Sequence, residues 1–584
     1  MKKTVLYLLA LFFVNSLSAQ YYLRGEIKDK DGQPVQNVKM LLQSNKIIYY
    51  SGSSGGFGIS TEKLYDSLIL SLEGFETQIV GIKSDVYQEI VMKKLFSNDN
   101  KNRQKLISIT KDLQQKTKYK WFLGDESYFS LVENSTVDAG KYPNTGFSLN
   151  VNKASYSNIR RFINMKSSVP PDAVRIEELL NYFNLYYHEP EKHEVFKVES
   201  QITNCPWNAR NNLLFLNVNA RKINLDTVPP SNLVFLIDAS GSMDMPNRLP
   251  LVKAAFQMLV KNLRAKDTVS IVIYGGPVQV WMQPTSGDQK EKIIQSIEEL
   301  TANGDTPGES AIRTAYKVAK STFIKGGNNR VILATDGDFN VGETTEEALE
   351  DLIVKEKQAG LYLTCLGVGM GNFKDSKLET LAKKGNGNYA YLDDIQEAEK
   401  VLVKEVTQTF YTVADNVFLN VQFNPALVSE YRLIGFDNKK DAIADSTGEL
   451  EGGEIGSGNS VLAIFEYKSS VNKINEFPST DPIAEVTLKY SLSPDRSRKE
   501  LHYNCRQNFI DFKSINKELQ FGTALVMFGM KLRQSKNLGI ADWNDIETIA
   551  TTAANPANYL QKDFIKLLKE AKKFYTKKRK KGYE

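Results

Sequence analysis

The sequence predicts a multi-domain chain, in which a doubly wound α/β domain is inserted into a discontinuous, β-rich sandwich with flanking helices, behind an N-terminal β-sandwich. Three observations lead there. Apolar strand-like runs alternate with helical patterns through residues 231–414, as a parallel, helix-covered sheet requires. Strand-type alternation lies on both flanks, at 195–222 and 415–510. Short alternating runs cut by glycine turns occupy residues 20–96, the pattern of a small antiparallel sandwich.

The segments follow in order. Met1-Lys2-Lys3, an apolar run over 5–14 and Leu17-Ser18-Ala19 have the charge, short apolar core and small residue of a secretory signal peptide, residues 1–19. No cysteine follows the expected cut after Ala19, so a lipid-anchored form is not expected. In 20–96 the turns fall at Asp31-Gly32 and Gly55-Gly56. Residues 97–126 are polar and lysine-rich, a linker. In 127–230 the pattern is first helical, with helices at 155–162 and 172–183 on either side of Val169-Pro170-Pro171. Strands follow at 195–222. In 231–414 strands are expected at 233–238, 268–274, 278–282, 331–335 and 362–368, with helices at 251–263, 291–300, 308–323 and 346–359. Residues 415–510 read as β again, through 417–421, 460–467 and 484–490, and are expected to pair with 195–222. Residues 511–584 form a helical region with a basic tail, its apolar faces carrying Leu525, Phe528, Leu532, Phe564, Leu567 and Leu568.

The chain has 584 residues, 41% hydrophobic and 24% charged, with a formal charge of +5. Lys577, Lys578, Arg579, Lys580 and Lys581 supply five positive charges in one run, and Lys2 and Lys3 lie in the leader. The rest of the mature chain is near neutral, which argues against a nucleic-acid binder. Stability must come from large cores, because three cysteines are few for an exported chain of this size. Cys365 sits in an apolar run and reads as a buried thiol. Cys205 and Cys505 flank the central module, and whether they pair is left open.

The candidate chemistry lies at strand ends, where ligands of open α/β sheets gather. The apolar run 233–237 ends in Asp238-Ala239-Ser240-Gly241-Ser242. Thr306 lies in a second loop, Asn303-Gly304-Asp305-Thr306-Pro307-Gly308, and Asp336 ends the apolar run 331–335. A hard dication such as Mg2+ takes about six oxygens and keeps some water. Three neutral hydroxyls with two carboxylates acting through water leave such an ion short of negative charge, so it draws a carboxylate from a partner.

Asp-x-Ser-x-Ser, a later Thr and Ala334-Thr335-Asp336-Gly337-Asp338 resemble the metal-ion-dependent adhesion site of von Willebrand factor type A (VWA) domains, which have a Rossmann-like fold. The resemblance implies one bound dication, Mg2+ before Mn2+ or Ca2+. Ser240, Ser242 and Thr306 would be direct ligands, and Asp238 and Asp336 would act through water. Glu133-Asn134, Ala154-Ser155-Tyr156, Val174-Arg175-Ile176-Glu177-Glu178, Pro206-Trp207-Asn208, Tyr431-Arg432-Leu433-Ile434-Gly435 and Gly453-Glu454-Ile455-Gly456 resemble regions flanking the module in a bacterial VWA-containing family. Residues 25–38, 56–59 and 72–75 resemble the carboxypeptidase regulatory-like domain, a transthyretin-like sandwich, implying a spacer or docking module. Three departures stand out: Asn150-Val151-Asn152 where that family has Asp-Val-Asp, Ser457-Gly458-Asn459 where it has Ala-Gly-His, and Asp305 in the metal loop.

The resulting expectation is an exported, non-enzymatic protein of the bacterial envelope, periplasmic, outer-surface or secreted. It would bind an acidic group of a protein partner through its metal, with weak membrane or polysaccharide contact through residues 577–581. An envelope scaffold with a structural or absent metal is the alternative, and a metal-dependent hydrolase ranks below it. The histidines His188, His193 and His502 lack zinc-pair spacing. Asp244 and Asp338 are expected to face solvent.

Overall fold

The computed structural model describes residues 21–30, 32–72, 75–93, 126–224, 228–303, 308–337, 346–370, 373–437, 453–470, 481–492 and 497–581. The segments expected to be a leader and, nearly entirely, a linker, together with Asp305, Thr306 and Asp338, lie outside these residues. The chain divides into two compact units, residues 1–105 and 106–584.

In the first unit, β1 (Tyr21–Asp29), β2 (Lys39–Leu42), β3 (Ile48–Tyr50), β4 (Gly56–Thr61), β5 (Tyr65–Ser71), β6 (Gln78–Lys83) and β7 (Gln88–Met92) form two sheets, ordered β4-β1-β7 and β3-β2-β5-β6. Alternate residues such as Leu23 and Ile27 of β1, Met40 and Leu42 of β2 and Leu68 and Leu70 of β5 meet in one core. The period of two in burial along β1 and β5 is that of strands with one face inside.

In the second unit the described residues begin extended. Residues 126–153 carry only the two-residue strands β8 (Val137–Asp138) and β9 (Asn144–Thr145). The helical pattern expected from 127 therefore starts late, at α1 (Ala154–Asn164). The single helix expected over 172–183 is also broken. Pro171–Ala173 make a 3-10 turn, Arg175 is extended at φ −87°, ψ 107°, and α2 (Ile176–Asn181) starts after it.

The break has a polar cause. Arg175 is buried and donates to Glu178 Oε1 at 2.6 Å and to Asp375 Oδ2 at 2.6 Å. Ser155 Oγ accepts from Arg175 N at 3.0 Å and donates to Ala173 O at 2.7 Å. A continuous helix would leave the buried Asp375 without this guanidinium, and an unpaired buried charge is costly.

β10 (Phe196–Asn204), β11 (Asn212–Ala220), β19 (Val428–Ile434) and β21 (Ser460–Ser469) form one sheet, ordered β10-β11-β21-β19-β8. β18 (Thr412–Phe423), β20 (Gly453–Gly456), β22 (Ala484–Leu492) and β23 (Arg498–Cys505) form the second, ordered β20-β18-β22-β23, with β9 on β18. Strands from before and after the inserted module are thus laddered together, β11 against β21. One face of this first sheet packs on the second sheet through Leu214, Leu216, Val421, Phe465 and Val486. Its other face, with Leu213, Phe215, Leu462 and Ile464, enters one helical core with α2, which lies against β21, and with α10 (Lys517–Leu532), α11 (Trp543–Ala553) and α12 (Tyr559–Lys581). Burial on both faces explains the unbroken apolar run Leu213-Leu-Phe-Leu. Cys205 belongs to the helical core and Cys505 to the inter-sheet core, so they remain separate buried thiols. On α12 the exposed residues include Lys562, Lys566, Lys569, Lys573 and Lys577, and the backbone stays helical through Lys581.

Between β11 and β18 lies a six-stranded sheet: β12 (Ser231–Asp238), β13 (Thr268–Tyr274), β14 (Gln279–Ser286), β15 (Asn328–Thr335), β16 (Leu361–Gly367) and β17 (Tyr389–Tyr391), ordered β14-β13-β12-β15-β16-β17. All its neighbours are parallel except β14 on β13. Leu233, Phe235 and Ile237 face α3 (Leu249–Lys261) and α4 (Lys290–Glu298), whereas Val234 and Leu236 face α5 (Gly308–Ser321), α6 (Glu346–Gln358) and α7 (Asp375–Lys384). β17, α7, α8 (Ile395–Glu399) and α9 (Val406–Phe410) are elements the sequence pattern did not single out. Arg160 of α1 ties this end of the module to the helices, donating to Asp393 Oδ1 at 2.5 Å and Glu397 Oε2 at 2.9 Å.

Two outcomes follow from the Arg175 cluster. Arg175→Met should cost about 3–5 kcal/mol in a guanidinium unfolding curve, because Asp375 and Glu178 stay buried without their cation. Glu379 approaches Arg175 at 3.6 Å, yet burial pushes its carboxyl up to about 7. A carboxyl raised in the fold stabilises it most below the unfolded value and loses that contribution as pH rises through the folded one. Melting temperature should therefore fall between pH 4.5 and 7, and Glu379→Gln should flatten that part of the curve.

Candidate functional site

β12 and β15 lie side by side in parallel register, with Ile237 opposite Ala334. Their carboxyl ends therefore deliver Asp238 and Asp336 to one corner of the sheet. Asp238 is fully buried; its Oδ1 accepts Ser240 N at 3.0 Å and its Oδ2 accepts Thr335 Oγ1 at 2.8 Å. Burial pushes its carboxyl up to about 6, against the hydrogen bonds to Ser240 and Thr335 and with the nearby Asp336 charge adding to the rise. Ser240 is buried and Ser242 exposed, and their hydroxyls share a hydrogen bond of 3.0 Å in which either can donate.

The donor set fits a hard dication. Adjacent oxygens of an octahedron with bonds of about 2.1 Å are about 3.0 Å apart, the spacing of these two hydroxyls. A carboxylate raised by desolvation beside them is the partner a cation would relieve. Thr306 falls outside the described residues. The segment leading to it runs against the serine loop, where Asn303 N donates to Ala239 O at 2.7 Å.

Two residues that the sequence reading missed shape this corner. Gly275, just past β13, has φ +147°, and a Cβ on it would lie 2.2 Å from the Ala239 carbonyl carbon and 2.5 Å from Ser240 N. The pair Gly275-Gly276 after an apolar strand was the available signal. Arg248 is buried, and its Nη1 donates to Asp336 Oδ2 at 2.6 Å and to Ser242 O at 2.6 Å. Asp336, expected to reach a metal through water, is thus held directly by an arginine; no spacing rule marks such a residue. Asp244 is exposed, as are all three histidines, and Glu309 accepts from Arg313 Nε at 2.6 Å on its own helix.

This fold and corner define a VWA-class protein. Residues 232–404 match the von Willebrand factor type A domain model, residues 123–215 a model described as von Willebrand factor, and residues 408–574 the model for the C-terminal part of the uncharacterized protein YfbK. The chain is 34% identical to the uncharacterized protein YfbK of Escherichia coli K12 over 469 residues, 77% of this chain and 81% of that one; it belongs to the YfbK family. It is also 29% identical over 170 residues to human inter-alpha-trypsin inhibitor heavy chain H4, covering 28% of this chain and 18% of that one. A solved von Willebrand factor type A structure from Catenulispora acidiphila aligns with a TM-score of 0.41 at 15% identity, covering 66% of this chain and 91% of that one. VWA domains mediate protein–protein interaction.

Gly275→Ala should displace the 238–242 loop. Overpacking and the positive φ together should cost at least about 2 kcal/mol, read from the shift in an unfolding midpoint, with the loop's amide resonances moving while those of the first unit stay in place.

Proposed function

We propose that the chain is an exported, non-enzymatic binding protein of the bacterial envelope, whose VWA corner holds one dication and uses it to take an acidic group from a protein partner. The observation that carries the reading is the pair of hydroxyls of Ser240 and Ser242, 3.0 Å apart beside the buried carboxylate of Asp238, with Ser242 open to solvent. Ser240, Ser242 and Thr306 would hold Mg2+, with Asp238 and Asp336 in support. The ion supplies Lewis acidity toward a carboxylate. A hydrolase would also need a base positioned on an activated water, and Glu309 is engaged by Arg313. The basic end of α12 adds a weak, salt-sensitive contact to an anionic membrane or polysaccharide. The first unit, similar to a carboxypeptidase regulatory-like domain, serves as a spacer or docking module.

Calorimetric titration of the full chain with Mg2+ or Mn2+ should show one site, and Ser242→Ala should weaken it by about tenfold or more. Identical isotherms for the two proteins contradict the reading. Pull-downs from envelope extract should lose their partner when chelator is added; a chelator-insensitive set of partners supports the scaffold alternative instead.

A further inference from the structure

Arg248 ends the loop that follows the serines and stands immediately before α3. Its guanidinium fastens three segments of the corner. Nη1 donates to Asp336 Oδ2 and to Ser242 O, each at 2.6 Å, and Nη2 donates to Met370 O at 2.8 Å. The side chain is buried, as is Asp336, and Nε has no hydrogen-bond partner. Gly369 makes the space: at φ +78°, a Cβ there would come 2.5 Å from Arg248 Nε. The arginine is therefore seated in the wall of the site, not swung in from solvent.

Such a group has an electrostatic consequence for any cation entering the corner. Arginine keeps its charge at every pH a protein survives. Asp238 ends β12 and Asp336 follows β15; of this pair Asp336 is already ion-paired, which leaves Asp238 as its member free of an arginine to offset a dication. Like charges a few ångströms apart in a partly desolvated site repel strongly.

We propose that Arg248 is the built-in counter-ion of the corner and sets its cation affinity: the guanidinium holds Asp336 in place and keeps dication binding weak. An ion held this way keeps more of its charge for an incoming carboxylate, because Asp336 is not free to neutralise it. The inference rests on the metal reading above and adds the residue that tunes it.

The test is titration of the full chain with MnCl2 at fixed ionic strength, for wild type, Arg248→Gln and Arg248→Lys, each checked by thermal melting. A merely structural arginine would, on removal, weaken binding. The counter-ion role has the opposite sign: Arg248→Gln should bind Mn2+ about tenfold tighter or more, with Arg248→Lys between it and wild type. Arg248→Gln without metal should melt below wild type and gain more on saturation with Mn2+ than wild type gains. Should Arg248→Gln fail to fold, Arg248→Lys carries the test, and affinity above wild type is the supporting result. A folded variant that binds no tighter than wild type overturns the counter-ion role while leaving the metal site standing. If neither wild type nor variant binds Mn2+ at millimolar concentration, the metal reading falls, and the role of Arg248 with it.

Discussion

The ladder between β11 and β21 is the constraint on which the second unit depends. Residues Asn212 to Asn219 pair antiparallel with Tyr467 to Ser460, and the whole VWA module lies between them in sequence. Both ends of the module are thereby anchored in one frame. Sheet pairing of this kind pays loop-closure entropy over a long separation, and the return comes from burial on both faces. Leu214 and Leu216 look into the inter-sheet core while Leu213 and Phe215 look into the helical core.

The buried ion pairs around the frame give the motifs quoted from the sequence a structural meaning. Arg432 donates to Glu133 Oε1 at 3.1 Å and to Glu466 Oε2 at 2.6 Å, and Trp207 Nε1 donates to the same Glu466 oxygen at 3.3 Å. Asn134 Nδ2 donates to Gly435 O at 2.8 Å. Residues 133–134, 207 and 431–435 are thus parts of one polar clasp on the frame. Ser155, Arg175 and Glu178 form another, which holds α1 and α2 to α7. Buried networks of this sort fix one arrangement because every alternative leaves a charge unpaired.

The period of the hydrophobic pattern made most of the frame and the module legible. The strands ending at Asp238 and Thr335 were bounded to within a few residues, because apolar runs buried on both faces end sharply where polar loops begin. The break at Arg175 was not legible: its cause is a carboxylate two hundred positions away, at Asp375, and local propensity favours helix across 172–183. The unpaired state of Cys205 and Cys505 likewise depends on which core each strand end faces. At the corner, the grouping of Asp238, Ser240, Ser242 and Asp336 was legible in their spacing. Arg248 was not, because a lone basic residue in a loop carries no periodic signal, and its meaning appears only when Asp336, Ser242 O and Met370 O surround it.

The central claim is that the strand-end corner of β12 and β15 recognises a partner through a dication. The most direct measurement is anomalous scattering from a Mn2+-soaked crystal of the full chain. A single strong peak is expected at about 2.1–2.2 Å from the hydroxyl oxygens of Ser240 and Ser242, beside Asp238. A corner without a peak at saturating Mn2+, its two serine hydroxyls still bonded to each other, would contradict it.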